Sequence, residues 1–123
     1  MTSQVSARTP LLRLRKLCLA FPEVVEDPAG VGNPSFKVAG KIFVLHALNH
    51  HGDGKTAFWC KARDGAQLAL TSSDPERYFV PPYVGRYGWI GVWLDRSVDW
   101  LEVAGLIEDS YGLTAPRRLV RSI

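Results

Sequence analysis

The run Gly85-Arg86-Tyr87-Gly88-Trp89-Ile90-Gly91-Val92-Trp93-Leu94 is the most strand-like stretch of the chain, and it begins with a basic, aromatic corner. Side chains alternate along a strand, so Ile90, Val92 and Leu94 take one face while Trp89, Gly91 and Trp93 take the other. One face can be core, and the other then needs an account. Either the Trp89 face is covered by packing, or it stands open beside Arg86 and Tyr87 as a docking surface.

The segments on either side assign the first face. Downstream, Ser97 is placed to cap a long helix in which Trp100, Val103, Ala104, Ile107 and Tyr111 form one apolar stripe, with Gly112 as its stop. A strand that feeds a helix directly is expected to pack its Ile90, Val92 and Leu94 side against it. Upstream, Pro81 and Pro82 force Phe79 to Tyr83 into an extended path. A helical turn at Pro75 to Tyr78, capped by Asp74, and a short helix from Ala66 to Leu70 precede it.

Earlier still, Ser35 to Val38 and Lys41 to Leu48 flank Ala39-Gly40, the spacing of a two-residue hairpin. Simple pairing across that turn sets Phe36 opposite Phe43. It predicts Phe36, Val38, Phe43 and Leu45 on the core face and Lys37, Ile42, Val44 and His46 on the other. Thr56 to Ala62 returns as a third strand. Thr9-Pro10 opens a first helix with Leu11, Leu14, Cys18 and Phe21 at helical spacing, and Pro22 ends it. Glu23 to Pro34 reads as an ordered loop. The expected fold is α+β: an antiparallel sheet made of a three-strand meander plus a late strand, with the N- and C-terminal helices packed on one face.

A length of 123 residues suits one domain spanning 1–123, with residues 1–8 expected to be flexible. Hydrophobic residues at 46% against 22% charged exclude a disordered chain. No apolar run approaches the roughly 20 residues that a membrane helix needs. Met1 to Pro10 lacks the apolar core of a secretory signal, so a cytoplasmic protein is the expectation. Cys18 and Cys60 sit in apolar surroundings too far apart for a metal motif and read as buried free thiols. The net charge of +3 is modest, but Arg8, Arg13, Arg15 and Lys16 cluster early and Arg117, Arg118 and Arg121 late.

Several blocks in one order carry a resemblance. Leu19-Ala20-Phe21-Pro22-Glu23-Val24-Val25-Glu26, then Phe36-Lys37-Val38-Ala39-Gly40-Lys41-Ile42-Phe43, then Asp74 to Tyr83, Gly88-Trp89-Ile90-Gly91-Val92 and finally Leu113 to Leu119 together resemble the MmcQ/YjbR family over about Leu12 to Val120. The resemblance implies a bacterial, cytoplasmic α+β domain shaped like frataxin (CyaY), with DNA contacted through sheet loops that act as paired wings. Commoner members carry a His-Trp-Asn type start to the late strand where Tyr87-Gly88-Trp89-Ile90 stands here. That change removes polar base-reading groups and leaves phosphate contact.

For nucleic acid the candidate residues are Lys37, Lys41, Lys55, Lys61, Arg63, Arg86, Arg117 and Arg118 on phosphates, with Tyr87 or Trp89 stacking on bases. A second reading is a protein-interaction module or homodimer anchored by Trp59, Trp89 and Trp93 on an open sheet face. A third uses Asn49-His50-His51-Gly52-Asp53-Gly54, which with His46 supplies imidazole and carboxylate for a metal or for formyl-transfer chemistry. Gly-Asp-Gly also has a complete turn explanation, and Cys60 has no evident base. A non-enzymatic domain with no cofactor and no metal is therefore the expectation.

Overall fold

The computed structural model describes residues 8–28, 33–48 and 54–121. Their elements run α1 (Arg8–Leu19), β1 (Val25–Asp27), β2 (Ser35–Val38), β3 (Lys41–Leu48), β4 (Thr56–Cys60), α2 (Ala66–Ser73), β5 (Tyr78–Phe79), a 3-10 turn at Gly85–Tyr87, β6 (Ile90–Trp93), α3 (Trp100–Thr114) and α4 (Arg117–Val120). The strands form one antiparallel sheet of six in the order β1-β2-β3-β4-β6-β5. The meander and the late strand beside it are thus as the sequence predicts. Two short edge strands add to them. β1 falls in the segment read as a loop, and β5 begins at Tyr78, which was read as the end of a helical turn.

Ala39 and Gly40 both take positive φ, 52° and 78°, as the two-residue hairpin turn demands. Val38 pairs with Lys41 and Lys37 with Ile42, but Phe36 then pairs with Val44 rather than Phe43. Phe43 is an extra residue, a β-bulge, and it shifts the register by one. A shift of one residue exchanges the two faces of everything beyond it. Phe43 and Val44 are consequently both buried in the main core, His46 shares the face of its partner Phe58, and Leu45 turns to the second face beside Trp59. The face assignment from simple pairing holds for Phe36, Val38, Phe43, Lys37 and Ile42 and is corrected for Val44, Leu45 and His46.

The bulge leaves the carbonyl of Phe43 and the amide of Lys61 out of the ladder. Ser110, buried on α3, serves both: its hydroxyl donates to the Phe43 carbonyl at 2.6 Å and accepts the Lys61 N–H at 3.0 Å. The same helix lies over β3 and β4 and contributes Val103, Leu106, Ile107 and Tyr111 to one core cluster with Ile90, Val92 and Leu94 and with Leu14 and Cys18 of α1. The Ile90 face, expected to pack on the last helix, shares a core with it, while the helix itself is centred on β3. Asp99, not Ser97, caps α3 by accepting the Glu102 N–H at 3.1 Å, and the helix runs past Gly112 to Thr114. Tyr111 stacks on Phe21 at 4.7 Å, and its hydroxyl donates to the Pro22 carbonyl at 2.8 Å, which ties the end of α1 to α3.

The second face has its own small core of Ala47, Trp59 and Trp89, against which Leu45, Phe79 and Val84 pack. Gly91 makes this possible. It pairs with Phe79, whose ring lies where a Cβ on Gly91 would be, and the ring goes on to stack on Trp93 at 4.1 Å.

Two stability outcomes follow from these contacts. Gly91→Ala should cost about 1–3 kcal/mol in denaturant unfolding, since Phe79 must move, and adding Phe79→Leu should recover part of the loss. Ser110→Ala strands the buried Phe43 carbonyl and the partly buried Lys61 amide and should cost roughly 1–3 kcal/mol in the same measurement.

Candidate functional site

The sheet register decides which basic residues can act together. Val44, Cys60 and Ile90 form one row across β3, β4 and β6. The residues just outside that row are Lys41 at the hairpin turn, Lys61 and Arg63 after β4, and Arg86 and Tyr87 ahead of β6, so all five share one end of the sheet. Lys55 is at the opposite end, ahead of Thr56, with its Nζ 5.0 Å from the centre of the Trp93 ring. Arg117 and Arg118 belong to α4 on the helix side, near the turn that follows α1.

Carboxylates already hold some of these cations. Lys37 reaches Asp27 at 2.9 Å, and Arg63 reaches Asp109 at 3.0 Å. Arg118 grips Glu23 through two hydrogen bonds of 2.8 and 3.0 Å, and those bonds hold the Glu23 carboxyl below its ordinary range. Among the described residues, Lys41, Lys61, Arg86 and Arg117 stand in no ion pair. Arg86 instead lies over the ring of Tyr87 at 4.9 Å and donates to its hydroxyl at 2.7 Å, with both side chains exposed.

Trp89 is corrected as a stacking residue. It is 9% exposed and Trp59 5%, because both belong to the small second core, against which Phe79 and Val84 of the connection from Phe79 to Trp89 pack. Of the three tryptophans expected to anchor a protein partner or second copy, Trp59 and Trp89 are therefore covered and Trp93 is half-buried. Arg96 lies over that ring at 4.9 Å, and this contact was not foreseen.

The same connection supplies a residue that sequence reasoning missed. Tyr83 is 68% exposed and takes φ of 66°, a left-handed conformation unusual for an aromatic residue. The available signal was a tyrosine between two prolines and a glycine-rich corner, in a stretch with no strand alternation.

Of the metal or formyl-transfer set, His46 is 1% exposed among the side chains of the helix-facing core, so it does not reach a surface site. Asn49, His50, His51 and Asp53 lie outside the described residues, as does the chain before Arg8. Among the described residues no three His, Cys, Asp or Glu side chains gather as a metal would require. No described helix is long and apolar enough to cross a membrane.

Both thiols are buried and free. Burial pushes the Cys18 thiol up strongly and the Cys60 thiol up to about 12, with Asp109 adding to the latter, so neither is a nucleophile at neutral pH.

A helix-backed antiparallel sheet of this order, with basic residues gathered at its turn end, defines an α+β domain whose class has known members. The chain belongs to the YjbR family, whose model matches residues 19–113. Among solved structures it is similar in fold to the Deinococcus radiodurans protein DR2400, a DUF419 domain, with a TM-score of 0.70 and 19% identity over 89% of this chain and 83% of that one. No curated protein sequence matches it significantly.

The thiol assignment has a direct check. Ellman's reagent at mildly alkaline pH should leave the folded protein unmodified over the time in which the denatured chain gives up both thiols. Rapid labelling of either cysteine in the folded state would refute their burial.

Proposed function

We propose that this protein binds the phosphate backbone of nucleic acid at the turn end of its sheet, with Lys41, Lys61 and Arg86 as the primary contacts and Arg117 as an outlying one. The observation that carries the reading is that Lys41, Lys61 and Arg86 lie beyond the same row of the sheet, on three different strands' ends, and stand in no ion pair among the described residues. A cation held by a nearby carboxylate exchanges one partner for another on binding, whereas an unpaired one gains the whole attraction. Lys37, Arg63 and Arg118 therefore rank second. Lys55 contributes least, because it is at the far end of the sheet.

The family resemblance supports the same reading through its paired-wing idea, and the frataxin-like shape it implies is part of the proposal as a likeness of fold alone. The hairpin turn at Lys41 and the corner at Arg86 are the two projections available for it. A cytoplasmic setting fits a protein with two unoxidised thiols. Phosphate contacts position a protein without reading sequence, so weak selectivity among DNA sequences is part of the proposal.

Fluorescence anisotropy with labelled DNA should show binding at low salt that weakens as salt rises, with the logarithm of affinity linear in the logarithm of salt. Lys41→Glu and Arg86→Glu should each weaken binding and lower the salt slope by about one, while Lys55→Glu should do little. Absence of binding in low salt at tens of micromolar, on the order of ordinary non-specific affinity, would dispose of the proposal.

A further inference from the structure

We infer that the hollow between the start of α1 and the loop from β6 to α3 binds a small organic acid, with its carboxylate on Arg13 and an apolar body about the size of one ring inside. The hollow is at the end of β6 remote from Arg86, because its Leu94 follows the last residue of the strand while Arg86 precedes the first. It is therefore a second site, and the inference does not rest on the phosphate-binding reading.

The space is about 190 Å³. An apolar cavity of about 150 Å³ is enough to take up benzene, so a single ring or a branched chain of similar bulk fits here. The lining changes with depth. Pro10 and Leu94 are buried, Val98 and Trp100 partly buried, and Arg13 and Arg96 exposed, which makes the inside apolar and the mouth cationic. Among the described residues no carboxylate lines it. The two aspartates of the adjoining loop are engaged elsewhere: Asp95 accepts from Arg96 Nε at 2.9 Å, and Asp99 caps α3 and lies 3.9 Å from Arg77.

Arg96 is thus fixed and partly neutralised, and a terminal nitrogen also donates to the Glu76 carbonyl at 2.7 Å. Arg13 differs. On the same side of the molecule Arg15 and Arg118 are held by glutamates, whereas Arg13 stands in no ion pair among the described residues. Its guanidinium instead lies over the Trp100 ring at 4.5 Å. Stacking uses the flat face of a guanidinium and leaves the N–H donors around its edge, so the group is positioned without being satisfied. A carboxylate presents two oxygens that match that edge. A bare anion would leave the apolar interior unused, and an uncharged ring would leave Arg13 unused. An acid with an apolar body uses both.

The test follows the Trp100 indole N–H by NMR, assigned from its loss in Trp100→Phe, as benzoate is added to the protein. Benzamide supplies the ring without the charge, and acetate the charge without the ring. Benzoate should shift the Trp100 signal saturably, with benzamide and acetate each at least about tenfold weaker. Arg13→Gln should weaken benzoate by roughly ten- to a hundredfold, as loss of a hydrogen-bonded charge does. Lys16→Gln removes an equal charge one turn along α1 and should leave benzoate binding unchanged. Both side chains are exposed, so both variants should unfold at about the wild-type denaturant concentration. Four results overturn the inference: no saturable shift with benzoate on the order of ten millimolar, benzamide or acetate binding as tightly as benzoate, Arg13→Gln binding like the wild type, or Lys16→Gln losing as much as Arg13→Gln. The DNA measurements stand or fall separately.

Discussion

The hydroxyl of Ser110 holds together two backbone groups that the sheet has let go. At the bulge the Phe43 carbonyl is buried and the Lys61 amide partly buried, and they need partners from outside the ladder. A helix supplies them. Because the partner lies on α3, the position of that helix along the sheet is fixed by a directional contact as well as by the less directional packing of Ile107 and Tyr111. The bulge in turn decides which residues of β3 face that helix. Sheet register, helix position and the composition of both cores thus meet at one serine.

Much of this architecture is visible in the amino-acid order, and the parts that are not share a cause. Alternation assigned β6 correctly because both of its faces are apolar with different residue types, and the downstream helix chose between them. The hairpin turn was legible because Ala39-Gly40 has a definite spacing. The bulge was not, since Phe43 and Val44 are equally apolar and nothing local marks which is the extra residue; only the hydroxyl waiting on α3, many residues later, distinguishes them. β1 and β5 are three and two residues long, too short for periodicity to declare itself. Of the candidate site, the basic residues were legible as charges but not as a group. Their grouping is a property of strand ends, and so it is fixed only when the register is. The burial of Trp89 depends on Phe79 crossing Gly91, a contact between strands that the sequence separates by a whole loop.

The distribution of charge follows a division of labour between the two sides of the molecule. On the helix side and along the β1 edge, cations are tied down: Arg15 to Glu26 at 2.7 Å, Lys37 to Asp27, and Arg118 to Glu23. Exposed pairs of this kind contribute little stability each, about 0–1 kcal/mol, but they cancel local field. At the turn end of the sheet that cancellation is incomplete, and the net charge of +3 is expressed there unevenly. A modest total can still produce a local potential where the compensating acids are elsewhere.

The order of strands has one more consequence. The two edges of the sheet are its shortest members, while the eight-residue β3 and the five-residue β4 lie inside. An edge strand exposes unpaired backbone that invites another chain to continue the sheet, and brevity is one of the ways proteins discourage it. Here an incoming strand finds three residues on one side, already crossed by the Lys37–Asp27 pair, and two on the other. The sheet is effectively closed to growth along both edges. Anything that recognises it at length must do so through side chains at its ends and loops, and the fold is correspondingly guarded against the edge-to-edge pairing that leads to aggregation.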